Sequence, residues 1–297
     1  MRNTIRRIDA HQHFWRIDAQ EQPWRDAHQD AIARDFAPAD LLPTLEELGI
    51  GESILVESTD GPEENDRLAA YSREQFVAGV VAWLPVSQPA HARRELERIS
   101  LPKLVGVRCL IDDDPLEWLA DREVVDLFRS LAEHRLSWDV VPITEEQITN
   151  IVTLAQAVPD LSIVIDHLGR PPVGDDKDLD AWKGRIDRLA ACPNISMKVS
   201  VGLHALSAWP AWEAAELRAC ITHAALSFGA ERLMIASNWP VVTLRASYGE
   251  AWTSIESELR TALGDDADAV LGATAARVYE LDRRAVEVGA DDRKISG

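Results

Sequence analysis

Cysteine is scarce in this 297-residue chain, and its three examples, Cys109, Cys192 and Cys220, lie far apart. No two of them have the C-x-x-C spacing of a redox pair or a zinc ribbon. An odd number of cysteines also gives no disulfide framework. We therefore expect the protein to belong to the reducing cytoplasm.

Long apolar runs and glycine-rich phosphate turns are also missing. No stretch approaches the ~20 apolar residues that a membrane span needs, so none is expected. The basic start, residues 1–7, is not followed by the apolar run of a signal peptide. Because no G-x-G-x-x-G or P-loop pattern occurs, an open nucleotide-binding sheet is the weaker alternative for the fold.

Positively charged residues are outnumbered by negatively charged ones. The chain has 31 Lys and Arg residues and 50 Asp and Glu residues, which gives a net charge of −19. Such an acidic surface repels phosphate backbones and anionic membranes, so neither nucleic acid nor a membrane is an expected partner. A small anionic substrate stays compatible, because a few local cations dominate inside a cleft. We expect a small-molecule substrate, and the sequence leaves homo-oligomerisation open.

The chain is rich in continuously apolar runs that alternate with amphipathic helical stretches. Such runs are typical of parallel strands covered on both faces. The predicted strands are Ile8–His13, Glu52–Ser58, Val77–Val86, Leu104–Leu110, Leu136–Pro142, Leu161–His167, Asn194–Ser200 and Arg232–Asn238. One helix begins with a capping box, Thr144–Gln147. Eight strand–helix pairs predict an α/β protein with a single (β/α)8 TIM barrel over residues 1–284 and a C-terminal tail over 285–297.

Two histidines one residue apart, His11 and His13, lie in the first predicted strand. Because side chains alternate along a strand, both point to the same side. Two neighbouring imidazoles can form half of a metal site or part of the polar base of a catalytic pocket. An exposed turn that happens to hold two histidines is the alternative.

Polar residues also end most of the other predicted strands, where the catalytic groups of such barrels lie. They are Glu57, Arg108, Asp139, His167, Lys198 and Asn238, with His204 shortly after the seventh strand. Buried charges are rarely kept without a partner or a task, so we expect one polar cavity. Arg108 and Lys198 have a second interpretation as structural partners of the carboxylates. Asp166 is expected to face away from His167, because neighbours alternate in a strand.

The segment Ile8–Trp15, IDAHQHFW, resembles the opening of the amidohydrolase-related barrels that include sugar lactonases of the L-fuconolactonase and L-rhamnonolactonase type. Similar segments follow in the same order, namely Leu104–Arg108, Val164–Pro171, Met197–Ser200, Arg232–Pro240 and Ala275–Leu281. The resemblance covers nearly the whole chain. It implies a (β/α)8 barrel that hydrolyses a small cyclic ester, a sugar-acid or dicarboxylate lactone, by attack of water on the lactone carbonyl.

The resemblance also implies roles for the predicted site residues. His11, His13 and His167 would polarise the lactone carbonyl, directly or through one divalent ion, zinc or manganese, of which they would be the ligands. Metal dependence differs within the superfamily, so a metal-independent reaction is equally open. The predicted substrate-binding residues are Glu57, Arg108, Lys198 and His204.

One position departs from the family pattern, because Asn238 stands where members have an aspartate that accepts a proton from the attacking water or ligates a metal. A neutral amide is a negligible base and a weak metal ligand. Asn238 would then orient water or substrate, with Asp139 or Glu57 as the replacement base. Two alternatives stay open: a metal-dependent decarboxylase or hydratase of the same superfamily, and a non-catalytic barrel that binds a small molecule.

Overall fold

The computed structural model describes residues 5–20, 22–26, 29–172 and 178–283. Eight parallel strands pair in sequence order from β1 to β8. They are β1 Ile8–Gln12, β2 Glu52–Val56, β3 Val77–Trp83, β4 Leu104–Arg108, β5 Ser137–Val140, β6 Ile163–Ile165, β7 Ile195–Val199 and β8 Leu233–Ile235. The predicted (β/α)8 barrel is confirmed, and the predicted tail, 285–297, lies outside the described residues.

Helices follow the strands and form the outer layer of the barrel. They are α1 Pro38–Leu48, α2 Pro62–Tyr71, α3 Pro89–Arg98, α4 Arg122–Glu133, α5 Glu145–Ala157, α6 Leu179–Ala190, α7 Leu203–Ala208, α8 Arg218–Phe228, α9 Tyr248–Leu263 and α10 Thr274–Val278. Among the described residues, no helix is both long enough and apolar enough to cross a membrane.

Observed strands are shorter than the predicted ones. The sixth is the clearest case, because Leu161–His167 was predicted and only Ile163–Ile165 pairs with its neighbours. Asp166 keeps an extended backbone and donates its N to Val140 O at 2.9 Å, whereas His167 has left the sheet and begins the loop that follows it. The sequence pattern therefore overestimates strand length at the end where polar residues enter the βα loops.

The seam between β1 and β8 is closed by backbone hydrogen bonds beyond the end of β8. His13 N donates to Trp239 O at 2.8 Å, and Asn238 N donates to His11 O at 2.9 Å. These bonds place the histidine-bearing end of β1 against the residues that follow β8. The two regions predicted to meet at the site are thus tied together by the main chain.

A buried carboxylate reinforces this seam. Asp9 accepts hydrogen bonds from the backbone N and hydroxyl of Ser237, at 2.9 and 2.6 Å, from Tyr248 Oη at 3.0 Å and from His11 N at 3.1 Å. Four donors offset the cost of burying the carboxylate. Asp9 therefore fixes the backbone on both sides of the seam, directly below the predicted site.

The lower barrel is filled with apolar side chains. Residues that are mostly small or β-branched, from six strands or their ends, form this inner cluster, namely Ile8, Ala10, Ile54, Val56, Val81, Val105, Val164, Met234 and Ala236. Larger residues, among them Trp138, Phe128 and Trp182, pack in the separate layer that includes the helices. Because side chains fill the N-terminal half of the barrel, which we call the lower barrel, a reactive site must lie at the C-terminal ends of the strands, which we call the upper ends.

The predicted capping box at the start of α5 is confirmed, and it gives a direct test of local stability. Thr144 Oγ1 accepts from Gln147 N at 3.1 Å, and the Gln147 side chain accepts from Thr144 N. We expect Thr144→Ala to lower the free energy of unfolding by about 1 kcal/mol in urea denaturation. Thr153→Ala is the matched control, since Thr153 lies exposed inside the same helix. Equal losses in the two variants would contradict a stabilising role of the cap.

Candidate functional site

A left-handed turn carries His167 into the site. His167, Leu168, Gly169 and Arg170 have φ values of 53°, 53°, 60° and 58°. Three of these residues are not glycine, and each costs on the order of 1 kcal/mol or more in this conformation. The turn is held by hydrogen bonds from Gly169 N to Asp166 O and from Arg170 N to His167 O, both 3.0 Å. This strained turn is what directs the His167 ring into the site.

Three imidazole rings meet at the upper end of the barrel. The His11 ring centroid lies 4.7 Å from that of His13 and 4.6 Å from that of His167. His167 Nδ1 lies 2.8 Å from the hydroxyl of Ser200, which orients its ring from β7. The structure therefore brings together the three histidines that the sequence singled out.

Hydrogen bonds determine which nitrogens carry protons. His13 Nδ1 donates to Val56 O at 2.8 Å, so its Nε2 has a lone pair and faces His11 Nε2 at 3.0 Å. Lys198 Nζ, which can only donate, lies 3.1 Å from His11 Nδ1, whereas Asp166 Oδ1 lies 3.3 Å away. The shorter contact assigns the His11 proton to Nε2, from which it is donated to His13. A directed chain thus runs from Lys198 through both rings to Val56 O.

All three rings are neutral near pH 7. Burial lowers the pKa of His13 to about 3 and that of His167 to about 3, and it lowers the pKa of His11 well below its ordinary value. The negative charge of Asp166 opposes this effect without reversing it. Neutral imidazoles can ligate a metal or polarise a carbonyl, so these rings are available for either task.

Asp166 lies at the centre of the site, and the prediction that it faces away is wrong. Its Oδ1 accepts from Lys198 Nζ at 2.9 Å and its Oδ2 from Arg108 Nη1 at 2.8 Å. Asp166 is two residues beyond Val164, whose side chain fills the inner cluster, so strand alternation itself directs Asp166 inward. His167 reaches the same side only because its backbone turns left-handed. The cations and His11 hold the pKa of Asp166 well below its ordinary value against the effect of burial.

Asp139 lies deeper, in a second buried ion pair with Lys198 at 2.7 Å. Tyr279 Oη donates to the same carboxylate at 2.7 Å and Ser137 Oγ at 2.8 Å. Gly106 makes room for this arrangement, because a Cβ atom there would come within 2.1 Å of Ser137 Oγ. Burial raises the pKa of Asp139, although Lys198 opposes the shift. Asp139 thus holds Lys198 from below.

Arg108 links the polar network to the outside. Its Nε donates to Glu57 Oε1 at 2.8 Å, and its Nη1 lies 3.4 Å from His11 Nε2. A cavity of about 220 Å³ opens beside Arg108, lined also by Trp24, Leu110 and Ile143 among others. Arg108 is the cation of this lining and Asp112 its carboxylate, and the other walls are mostly apolar, a mixture typical of a small-ligand pocket.

Two predicted residues have different surroundings. Asn238, with φ 56°, donates its side-chain amide to Val201 O at 2.8 Å. His204 lies on α7, and its Nε2 is 3.0 Å from Pro171 O. Within the described ranges no hydrogen bond joins His204 to the three histidines, so it stands at the edge of the site.

The donor set suits a divalent ion of the zinc type. Ligand atoms of His11, Asp166 and His167 all lie within 4.8 Å of one another, and His13 Nε2 adds a lone pair beside His11. Imidazole nitrogen and carboxylate oxygen are common zinc ligands. Lys198 and Arg108 compete for the same Asp166 carboxylate. The residues can therefore hold a metal, but two fixed cations weaken its binding.

Comparison with known proteins agrees with this geometry. The sequence profile of the family described as Amidohydrolase matches residues 8–281. The chain belongs to the amidohydrolase family. L-fucono-1,5-lactonase from Burkholderia ambifaria is 33% identical to this amidohydrolase over 287 residues, which are 93% of this chain and 96% of the relative. The predicted family, and the predicted likeness to sugar lactonases, are confirmed.

Solved structures give the same family and a wider range of chemistry. An amidohydrolase from Burkholderia multivorans with bound zinc is 30% identical, with a TM-score of 0.83 over 93% of this chain and 99% of that one. A 2,6-dihydroxybenzoate decarboxylase from Rhizobium is 16% identical, with a TM-score of 0.63 over 94% and 100% of the two chains. The second likeness shows the shared fold alone.

Sequence reasoning missed several residues that build the site. Tyr279 and Ser200 were not singled out, because nothing in their local sequence indicates a polar partner across the barrel. Asp166 had a usable signal, since it lies in phase with the inward-facing Val164. The two-residue period identifies such residues once one inward-facing neighbour is known.

Acid should destabilise this amidohydrolase through its buried rings. His167, with a pKa of about 3 when folded and 6.5 ordinarily, binds more protons unfolded, so stability falls as pH drops below 6.5. The slope is up to ~1.4 kcal/mol per pH unit for each such histidine. We expect His167→Asn to lose less stability than the natural protein in urea unfolding between about pH 6.5 and pH 5. An unchanged pH slope would contradict burial of a neutral ring.

Proposed function

We propose that this protein hydrolyses a small, polyhydroxylated or anionic lactone, with sugar-acid lactones as the first substrate class. The observation that supports this most is the meeting of three neutral imidazoles with Arg108 beside a small cavity, in a chain 33% identical to an L-fucono-1,5-lactonase. Such a site combines carbonyl polarisation with binding of oxygen-rich groups. These are the two requirements of lactone hydrolysis.

We assign the chemical roles as follows. The lactone carbonyl oxygen takes up the negative charge of the tetrahedral intermediate close to the His11, His13 and His167 rings. We assign the stabilising N–H to His167 Nε2, since the N–H groups of His11 and His13 already donate within the chain that ends at Val56 O. Arg108 lines the cavity and binds a carboxylate or hydroxyl group of the substrate. Asn238 orients the substrate or the attacking water from the end of β8.

Lys198 sets the state of the histidines rather than touching the substrate. It is fully buried, and its three donor contacts are to Asp139, Asp166 and His11. These contacts fix the proton on His11 Nε2. In this role Lys198 is a structural partner of the carboxylates, which is one of the two interpretations that its sequence left open, and it also positions the His11 ring.

His11, His13, His167 and Asp166 are the residues that would hold a divalent ion. When bound, such an ion would supply Lewis-acid polarisation of the carbonyl and a lower pKa of bound water. Zinc is the better match than manganese, because nitrogen donors outnumber oxygen donors.

Turnover of aldonolactones tests the proposed function. We expect purified protein to hydrolyse at least one member of a panel that begins with L-fucono-1,5-lactone, followed by the pH change from acid release. The panel includes 2-pyrone-4,6-dicarboxylate as a dicarboxylate lactone. Parallel assays with added zinc, with added manganese and with chelator measure metal dependence. Lack of turnover on every member under all three conditions would refute the proposal.

Zinc affinity tests the competition between Lys198 and a metal. We expect Lys198→Met to bind zinc at least about tenfold more tightly in competition with a chromophoric chelator, because the variant frees the Asp166 carboxylate and the His11 Nδ1 atom. Lys103→Met is the matched control, since Lys103 bonds to backbone carbonyls of Glu74 and Val77 away from these residues. Unchanged zinc affinity in the Lys198 variant would show that the ammonium does not compete.

A further inference from the structure

The buried carboxylates of this barrel differ in one respect that bears on catalysis. In Asp9, Asp139 and Asp166 each carboxylate oxygen accepts at least one hydrogen bond. The same is true of Glu64 and Glu95, which lie on α2 and α3. These five carboxylates are therefore tied into the structure through both oxygens, and none has an oxygen without a hydrogen-bond partner.

Glu57 is the exception among the described residues. It follows β2 at the upper end of the barrel and is fully buried. Its Oε1 accepts from Arg108 Nε at 2.8 Å, whereas its Oε2 is buried without any hydrogen-bond partner. An unsatisfied buried carboxylate oxygen costs on the order of 1–3 kcal/mol or more, so it calls for an explanation.

The position of Glu57 supplies that explanation. Arg108 bonds to Glu57 through Nε and to Asp166 through Nη1, which also lies 3.4 Å from His11 Nε2. One guanidinium group therefore separates Glu57 from the histidines. The same Arg108 lines the cavity. Glu57 does not itself line the cavity, but it is bonded directly to Arg108, which lines the cavity and also bonds to Asp166.

The end of β8 offers no base, because Asn238 holds an amide there. We propose that Glu57 is the proton acceptor of the hydrolysis, with Oε2 as the accepting atom. This assignment rests on the proposed lactone hydrolysis and names the group that performs its proton transfer.

The step balances as follows. As the water oxygen bonds to the lactone carbonyl carbon, one water proton passes to Glu57 Oε2. The tetrahedral intermediate then collapses, the bond from carbonyl carbon to ring oxygen breaks, and Glu57 returns the proton to that ring oxygen. The product is the open hydroxy acid, which ionises in solution, and Glu57 is again a carboxylate.

The charges around Glu57 suit this task. Burial raises its pKa to about 7, Arg108 opposes the shift, and Asp60 and Glu64 add to it. His13 on the neighbouring β1 is neutral at this pH, because burial lowers its pKa to about 3. Cys109, whose pKa burial raises to about 12, is also neutral. A base with a pKa close to the working pH accepts a proton efficiently and can give it back.

Glu57→Gln tests the assignment, because the amide oxygen can still accept from Arg108 while the base is lost. We expect kcat to fall by about 10²–10⁴-fold on a lactone that the natural protein turns over, with KM changed by less than about threefold. In the natural protein kcat/KM rises with pH to a break near 7, and this break disappears in the residual activity of the variant. A purely structural role would not remove the break.

Three further variants complete the test, and the first of them keeps it decisive if Glu57→Gln folds poorly. Glu57→Asp retains a carboxylate, so it keeps the pH break with a smaller loss of kcat. Adding Asn238→Asp to Glu57→Gln returns a carboxylate to the end of β8, and we expect it to recover at least about tenfold in kcat. Glu95→Gln removes a buried carboxylate elsewhere and leaves kcat within about twofold. Circular dichroism checks the fold of each variant.

The outcomes separate the two proposals. Lactone turnover by the natural protein together with kcat within about threefold in a folded Glu57→Gln refutes the role of Glu57 and leaves the function standing. Loss of the pH break in Glu57→Gln and its retention in Glu57→Asp support the role. Lack of any lactone turnover by the natural protein refutes the proposed function, and the proton transfer with it.

Discussion

A single buried carboxylate, that of Asp166, determines how charge is arranged at the upper end of the barrel. Taking Lys198 and Arg108 out of water is costly, and their shared contact with Asp166 is what makes both positions tenable. Asp139 and Glu57 then complete the balance, one on each cation. Removal of Lys198 would leave Asp139 without a cation, and removal of Arg108 would leave Glu57 without one, whereas each cation keeps a second carboxylate if one is removed.

The same network explains why the histidines are neutral. Burial is the main cause that lowers the pKa of all three imidazoles, and Lys198 acts in the same direction on each ring, as Arg108 does on His13 and His167. Neutral rings with assigned protons present both donors and lone pairs. The apolar lower barrel and the Asp9 seam hold the strand ends in place, so this arrangement is preorganised before a substrate enters.

The sequence predicts the fold well because the alternation of apolar runs and helical patterns extends along the whole chain. Eight apolar runs separated by helical patterns leave few architectures, and the structure confirms the barrel that they indicate. The polar residues at the strand ends could also be predicted to lie together, because a barrel brings its strand ends together whichever residues they contact. Partners across the barrel, such as Tyr279 for Asp139, depend on packing that no local pattern records. His167 was singled out because it ends a predicted strand, but the left-handed turn that brings its ring to the site is not indicated by any local pattern.

The replacement of a β8 aspartate by Asn238 is therefore best understood from the geometry of the barrel rather than as a loss. In a barrel of this kind the C-terminal ends of all eight strands lie on one face, so a proton acceptor after β2 can serve the same site as one after β8. Asn238 tolerates the left-handed backbone at the end of β8 and bonds to Val201 O, which preserves the local structure there. Glu57, with one oxygen held by Arg108 and the other free, has the chemistry that position 238 lacks. A fold of this kind can move its base from one strand to another while the histidines that polarise the carbonyl stay in place.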